Sequence, residues 1–590
     1  MEFYITQLQG YKTLLNKLKK QYNIISISRL LVAVAVIVLL WFSIQEQSIN
    51  SYLLPIAVFI LAFFFLMNRH TVISRKRKRA EAIIAINQDE ITHLKREGNN
   101  FEDGAEFTDP KHEYSYDLDI FGKHSIFQHI NRTETYKGKE KLAGLFLKLL
   151  PQNEILNNQE AVKELTIKPE FRQEIQALGL IKKDNQKTYS KLINWSKEKV
   201  VGVSLISRLL AFLLPLVLLG LFTAYIVTRD TALLSACGYV FIFNLLLVLG
   251  KIKSLRNENN YTTEVNEILH QYSLIINQIE KEKFKAEKLL TLQNKLYSGK
   301  EPAGKLIKTL SILFSQMDTV GNVLGALIMN GIFQYHVHIL AGLHSWKKQH
   351  ADNIENWLDV IAEFEALNSL ANYYYNNQDY IFPQLNTEYK IEFKNLSHPL
   401  LNPATRIGND VAFTPQFTVL TGSNMSGKST FLRSLGLNMV LAGMGAPVCA
   451  DAAVVHPLPV LVSMRLSDSL ADSESYFFAE IKRLKKIMDA VKNERSFVLL
   501  DEILRGTNSD DKRSGTIAVV EKMVGYNAIG AIATHDVEVC ETTYKYPDSL
   551  VNRCFEAEIT HSELYFDYKL REGVCKNKSA TFLMKKQGVI

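Results

Sequence analysis

The residues best suited to chemistry lie between 422 and 535. Gly422-Ser423-Asn424-Met425-Ser426-Gly427-Lys428-Ser429 has the spacing G-x-x-x-x-G-K-S. An apolar run, Phe417 to Thr421, precedes it and reads as a short strand. The stretch TFLRSLGLNMVLAG, starting at Thr430, follows and reads as an amphipathic helix. A loop of this kind between strand and helix wraps phosphate. Its glycines let successive N–H groups curl around phosphate oxygens, and the helix N-terminus adds its positive end. Lys428 is placed to reach the β- and γ-phosphates of a nucleoside triphosphate, and Ser429 to hold Mg2+. ATP with Mg2+ is therefore the expected ligand, bound along Gly422 to Thr430.

A second set of candidates completes the site. Ser496 to Leu500, SFVLL, reads as a buried strand and ends in Asp501-Glu502. A carboxylate at the C-terminal end of a strand faces the ligand crevice of an open α/β sheet. Asp501 is expected to hold Mg2+ through water, and Glu502 to orient or deprotonate the attacking water. An acidic pair in this place is often only a solvated turn, and the phosphate loop upstream is what favours the catalytic reading. A third strand, AIGAIAT, ends at Thr534-His535. His535 could sense the γ-phosphate as a donor at neutral pH, or be an ordinary surface histidine.

The rest of the chain must position these groups. At 590 residues it is too long for one domain, and three or more are expected. Apolar residues make up 47% and charged ones 22%, but the average hides four very apolar stretches in a charged remainder. The net charge of +7 permits an anionic partner without demanding one. Cys237, Cys449, Cys540, Cys554 and Cys575 are scattered without a C-x-x-C pair, which speaks against zinc or redox chemistry. The N-terminus shows no cleavable signal pattern.

Leu30 to Ile44 and Leu53 to Met67 are apolar runs, each a little shorter than the ~20 residues of a spanning helix. Leu209 to Thr228 and Thr231 to Gly250 are free of charge and long enough. At about −0.3 to −0.6 kcal/mol for each large apolar residue, each of the latter gains roughly −5 kcal/mol on insertion. Lys17, Lys19, Lys20 and Arg29 precede the first pair, and Arg75, Lys76, Arg77, Lys78 and Arg79 follow it. Basic residues also flank the second pair. The positive-inside rule then leaves both hairpin tips outside and the large segments in the cytoplasm. A multi-pass protein of the inner (cytoplasmic) membrane, with lipid as a partner, is the expectation. The RKRKR run is read as facing headgroups rather than nucleic acid. Val320 to Leu343 is also apolar, but Asn322, Asn330, Gln334, His336 and His338 make a packed core helix the better reading.

The motifs together resemble the MutS family of DNA mismatch-repair ATPases. TGSNMSGKSTFLR is similar to the family's GPNMGGKST loop, with Ser423 and Ser426 as departures. LLDEILRGTNSDD resembles its DEIGRGT segment, with Leu504 in place of Gly. DSLADSESYFFAEIKRLKKIM resembles the signature stretch, which puts Ser475 on the serine that reaches the nucleotide of the other subunit. Ser473-Glu474 stands there where Gly-Arg is usual. ATHD matches the family's ATH at His535. His398, Pro399, Asn409 and Asp410 also fit, as does the closing YKLREGVCKNKSATFLMKKQGV. Upstream, LDIFGKHSIFQHINRTETYKGKEKLAGLFLKLL, between Asp117 and Gly179, looks like the start of the family's helical core. Trp357 to Leu385 looks like the helix and linker into the ATPase. The family's mismatch-reading Phe-x-Glu is absent from the first 100 residues.

The resemblance implies an α/β P-loop ATPase domain (ABC-like) joined to an all-α helical core domain, with four transmembrane helices added here. The expected divisions are 1–80 for the first hairpin, 81–204 for helical core, 205–252 for the second hairpin, 253–385 for the remaining helical lever and core, and 386–590 for the ATPase. It also implies a homodimer and double-stranded DNA as a partner. The alternative is an ABC-like membrane machine or regulatory ATPase without DNA.

Overall fold

The computed structural model describes residues 1–590 except 47–48, 200–201, 300, 322, 415, 466–475, 561–562 and 576–590. Ser475 and the closing helix expected from the sequence lie outside the described residues.

The chain opens with two long helices, Glu2–Gln45 and Ile49–Leu94, packed side by side. Both extend far beyond the apolar runs. No Gly or Pro falls between 56 and 94, so nothing stops the second helix as it passes through RKRKR and through residue 80. Its far end enters the helical core, where Ala80, Ile83 and Ile86 are buried. The second hairpin is Leu205–Thr228 and Thr231–Leu249, each helix capped by a side chain at its start, Ser204 and Asp230. Four helices among the described residues are thus long and apolar enough to cross a membrane. The most apolar stretches of the first two have no buried residue.

The region from 320 to 343 differs from the expected core helix. It is two helices, Val323–Phe333 and Tyr335–His350, meeting at 84°. Gln334 makes the corner in a left-handed conformation (φ 48°). The second helix is largely buried, but Val323, Leu324 and Ile328 of the first are exposed. Asn330, Gln334 and His336 are spent at the corner. Asn330 bonds His336 (2.8 Å), and Gln334 donates to Asn244 of the second hairpin (2.8 Å). Asn244 in turn donates to the Gly331 carbonyl (2.8 Å).

The helical core is built around Ile354–Asn376, whose Trp357 and Phe364 are fully buried. Helices Tyr136–Leu147, Gln152–Thr166, Pro169–Ile181 and Ile252–Lys281 pack on it.

Two short strands, β1 (Tyr297–Ser298) and β2 (Glu301–Pro302), form a small hairpin. The C-terminal domain has two sheets. One contains β3 (Gln384–Leu385), β4 (Ile391–Leu396), β5 (Asn409–Phe413) and β7 (Ala452–Val455), in the order β3-β7-β4-β5. The other contains β6 (Phe417–Gly422), β8 (Val460–Ser463), β9 (Phe497–Asp501), β10 (Ile529–Ala533), β11 (Leu550–Thr560) and β12 (Glu563–Glu572), in the order β12-β11-β6-β10-β9-β8. Neighbours from β11 to β8 run parallel, and only β12 is antiparallel. Strands β6, β9 and β10 are buried on both faces, which explains their unbroken apolar runs. This order puts the C-terminal ends of β6, β10 and β9 side by side.

Candidate nucleotide site

The loop from Gly422 to Lys428 leaves β6 and enters helix Lys428–Gly443. Gly427 has φ +101°, which an L side chain rarely adopts. A Cβ at Gly422 would lie 2.8 Å from the Phe555 carbonyl, so only glycine lets the loop pass β11. Asn424 and Met425 stand at the mouth, with Met425 exposed. Ser423 and Ser426 carry buried hydroxyls with no partner among the described residues. Thr430 lies in the first turn of the helix and lines the same cleft. That cleft, of about 510 Å3, is closed on its other side by His398, Ile407, Phe555 and Tyr568. Polar donors along the loop and aromatic or apolar walls opposite suit a phosphorylated heterocycle.

The separated candidates meet here. Ser429 Oγ donates to Asp501 Oδ2 over 2.6 Å. His535 Nε2 lies 2.6 Å from Glu502 Oε1. Lys428 Nζ donates to the carbonyls of Gly422 (2.7 Å) and Ser423 (3.0 Å) and lies 3.5 Å from His535 Nε2. Parallel pairing sets this arrangement, because Ala533 is in register with Asp501 on β9 and with Leu420 on β6.

Charge follows the contacts. The His535 hydrogen bond, helped by the nearby charges of His535, Arg505 and Lys428, holds the Glu502 carboxyl down to about 2, against the opposing effect of partial burial. Burial lowers the Lys428 ammonium from its ordinary value, although Glu502 and Asp501 oppose this. His398 is lowered to about 4 by burial and by Arg433. The second oxygen of Asp501, Oδ1, is buried and unpaired among the described residues. A hydroxyl beside a carboxylate with an open lone pair is the oxygen donor set Mg2+ prefers, so Ser429 and Asp501 fit that ion.

Residues 418–588 match the model of MutS domain V. In its C-terminal part the chain carries this domain and is similar to MutS-family proteins. The chain is 32% identical over 222 residues to the DNA mismatch repair protein MutS of Pseudothermotoga lettingae, covering 37% of this chain and 27% of that protein. Against the Thermotoga maritima protein of the same name it is 29% identical over 249 residues, covering 41% and 31%. Human MutS protein homolog 4 is 27% identical over 256 residues, covering 41% of this chain and 25% of the relative. The chain therefore spans no more than about a third of the relatives named here.

The structure explains one departure from the MutS pattern. Leu504, where the family has Gly, adopts φ +60°, as Glu502 does at +48°. The position calls for glycine, and leucine bears the strain while burying its side chain. Several residues that line or brace the site escaped the sequence reading. Tyr568 lines the cleft from β12, and Arg505 donates to the carbonyls of Glu502 (2.8 Å) and Asp501 (3.1 Å). Asp117, fully buried, accepts from the N–H groups of Met464 (2.8 Å) and Arg465 (2.7 Å) and pairs with Arg483. It joins the helical core to the strand just before the signature stretch. No spacing rule marks such residues, because each acts through backbone far away in sequence.

Proposed function

We propose that the chain is a membrane-anchored, Mg2+-dependent ATPase that works as a homodimer and handles double-stranded DNA. The observation that carries this reading is the convergence of Lys428, Ser429, Asp501, Glu502 and His535 in one crevice. Loop amides and Lys428 bind the triphosphate. Ser429 and Asp501 would hold Mg2+, which when bound would supply charge neutralisation to the phosphates. Glu502 takes the proton of the attacking water, and His535 aims that carboxylate. In the dimer, Ser475 of one subunit caps the nucleotide of the other, and turnover moves the helical arms.

Support for DNA comes from relatives named for mismatch repair. The exposed apolar helices and their basic flanks support a bilayer anchor with the ATPase on its cytoplasmic side.

The test is ATP binding and turnover by the full chain in detergent, with perfect and mismatched duplex DNA. Lys428→Ala should lose nucleotide affinity, and Glu502→Gln should hold ATP without hydrolysing it. DNA binding should weaken steeply with salt. Nucleotide affinity unchanged in Lys428→Ala would remove the ATPase reading. Absent or salt-independent DNA binding would leave an ATP-driven membrane machine without DNA.

A further inference from the structure

The segment that carries Glu502 is under backbone strain. Glu502 and Leu504 both lie in the left-handed region, at φ +48° and +60°. Non-glycine residues stay there only where surrounding contacts hold them. Besides the Arg505 side chain on the Glu502 and Asp501 carbonyls, two acceptors hold the N–H groups of this turn. The Glu502 N–H donates to the Ala533 carbonyl (3.0 Å) on β10. Beyond it, the N–H groups of Leu504 and Arg505 donate to the two carboxylate oxygens of Glu480, over 2.6 and 3.2 Å. Glu480 is 7% exposed, and both of these bonds go to main chain rather than to a side chain.

Glu480 sits on helix Tyr476–Asn493, which begins at the residue after Ser475. One turn on, Arg483 of the same helix donates to the carbonyls of Val462 (3.1 Å) and His112 (3.3 Å) and pairs with Asp117. His112 and Asp117 belong to the segment leading into the helical core. This helix therefore touches the core through Arg483 and the Glu502 turn through Glu480.

We propose that Glu480 is a positioning residue for Glu502, clamping the turn after β9 so that the water-activating carboxylate moves with helix Tyr476–Asn493. The proposal rests on the reading of Glu502 as the base. Through this clamp, displacement of the helix by the helical core at Arg483 changes the aim of Glu502. The clamp leaves Lys428 and the phosphate loop alone, since Glu480 is not among the residues lining the cleft.

The experiment compares Glu480→Ala, Glu480→Gln and Glu502→Gln in the full chain, by fluorescent-ATP titration and single-turnover hydrolysis. Glu480→Ala should keep ATP affinity within about threefold while slowing hydrolysis about 10- to 100-fold, as a small misplacement of a reacting group does. Glu480→Gln keeps an acceptor for one N–H and should slow hydrolysis about threefold or more. Hydrolysis at the wild-type rate in Glu480→Ala overturns the clamp, as does a loss of affinity in proportion to the loss of rate. If the alanine variant does not fold, Glu480→Gln decides by the same two measurements. Should Glu502→Gln turn over like wild type, the base assignment falls and takes the clamp with it. Wild-type rates in the Glu480 variants alone sink only the clamp.

Discussion

The Tyr4 hydroxyl donates to Asn376 Oδ1 over 2.8 Å, joining the start of the first long helix to the last residue of the helix that leads into the ATPase domain. It also reaches Asn372 Oδ1 (3.2 Å). Glu90, near the end of the second long helix, accepts from Asn372 (2.8 Å) and Asn376 (3.1 Å) and pairs with Arg132. Both helices of the first hairpin thus end on one buried polar cluster beside the linker to the nucleotide domain. Tyr4→Phe removes the one O–H that these two amide oxygens share and should lower stability by about 1–3 kcal/mol. Thermal unfolding in detergent checks this, and an unchanged midpoint would mean the contact carries no weight.

The Glu502–His535 pair predicts a pH effect with a definite sign. A carboxyl held at about 2 stays ionised throughout the ordinary range, so it sets no acidic limb on wild-type hydrolysis above pH 4. The ionised form favours the folded state fully above the unfolded carboxyl value near 4.5, and that contribution is lost as pH falls towards 2. In His535→Ala the carboxyl returns towards its ordinary value, with Arg505 and Lys428 still lowering it. The pH profile of single-turnover hydrolysis should then gain a limb between about pH 3 and 4.5.

Glu365 shows the opposite case. Burial pushes its carboxyl up to about 8, with Asp184 and Glu134 adding to the rise. Thr135 and the Glu134 N–H bond it and oppose the rise without cancelling it. The folded state then holds a proton that the unfolded chain releases near 4.5. Stability should fall as pH rises from about 4.5 to 8, by a few kcal/mol at most. Glu365→Gln should unfold at a higher temperature than wild type at pH 8 and at nearly the same temperature at pH 5.

Leu504 should invert a common rule. At most buried sites Ala is better tolerated than Gly. Here the backbone is left-handed, which costs a non-glycine residue about 1–2 kcal/mol. Both replacements lose the buried leucine side chain, but only Gly relieves the strain. Leu504→Gly should therefore be more stable than Leu504→Ala by about 1 kcal/mol. Denaturant unfolding of the two variants gives the answer directly.

Much of the nucleotide site was legible because its chemistry is local. Gly422 to Thr430 is one uninterrupted turn, and its glycine spacing answers to main-chain geometry. Asp501, Glu502 and His535 each end a strand, and apolar runs buried on both faces announce those strands. The corner at Gln334 was not legible. A polar run inside an apolar stretch looks the same whether it faces a core or satisfies a neighbouring hairpin, and the choice depends on Asn244 lying alongside. Glu480 was hidden for the same reason, since an acidic residue on an amphipathic helix gives no sign that its partners are main-chain amides of a later loop.

The sequence alone determined the phosphate loop, the carboxylates at strand ends and the apolar lengths of the four long helices, because each depends on residues adjacent along the chain. Tertiary structure decided that Ser429 meets Asp501, that His535 meets Glu502, and that Glu480 and Asp117 bind distant backbone. Those contacts follow from strand order and helix packing. Such long-range pairing arises from burying the whole chain at once, and no short stretch of residues encodes it.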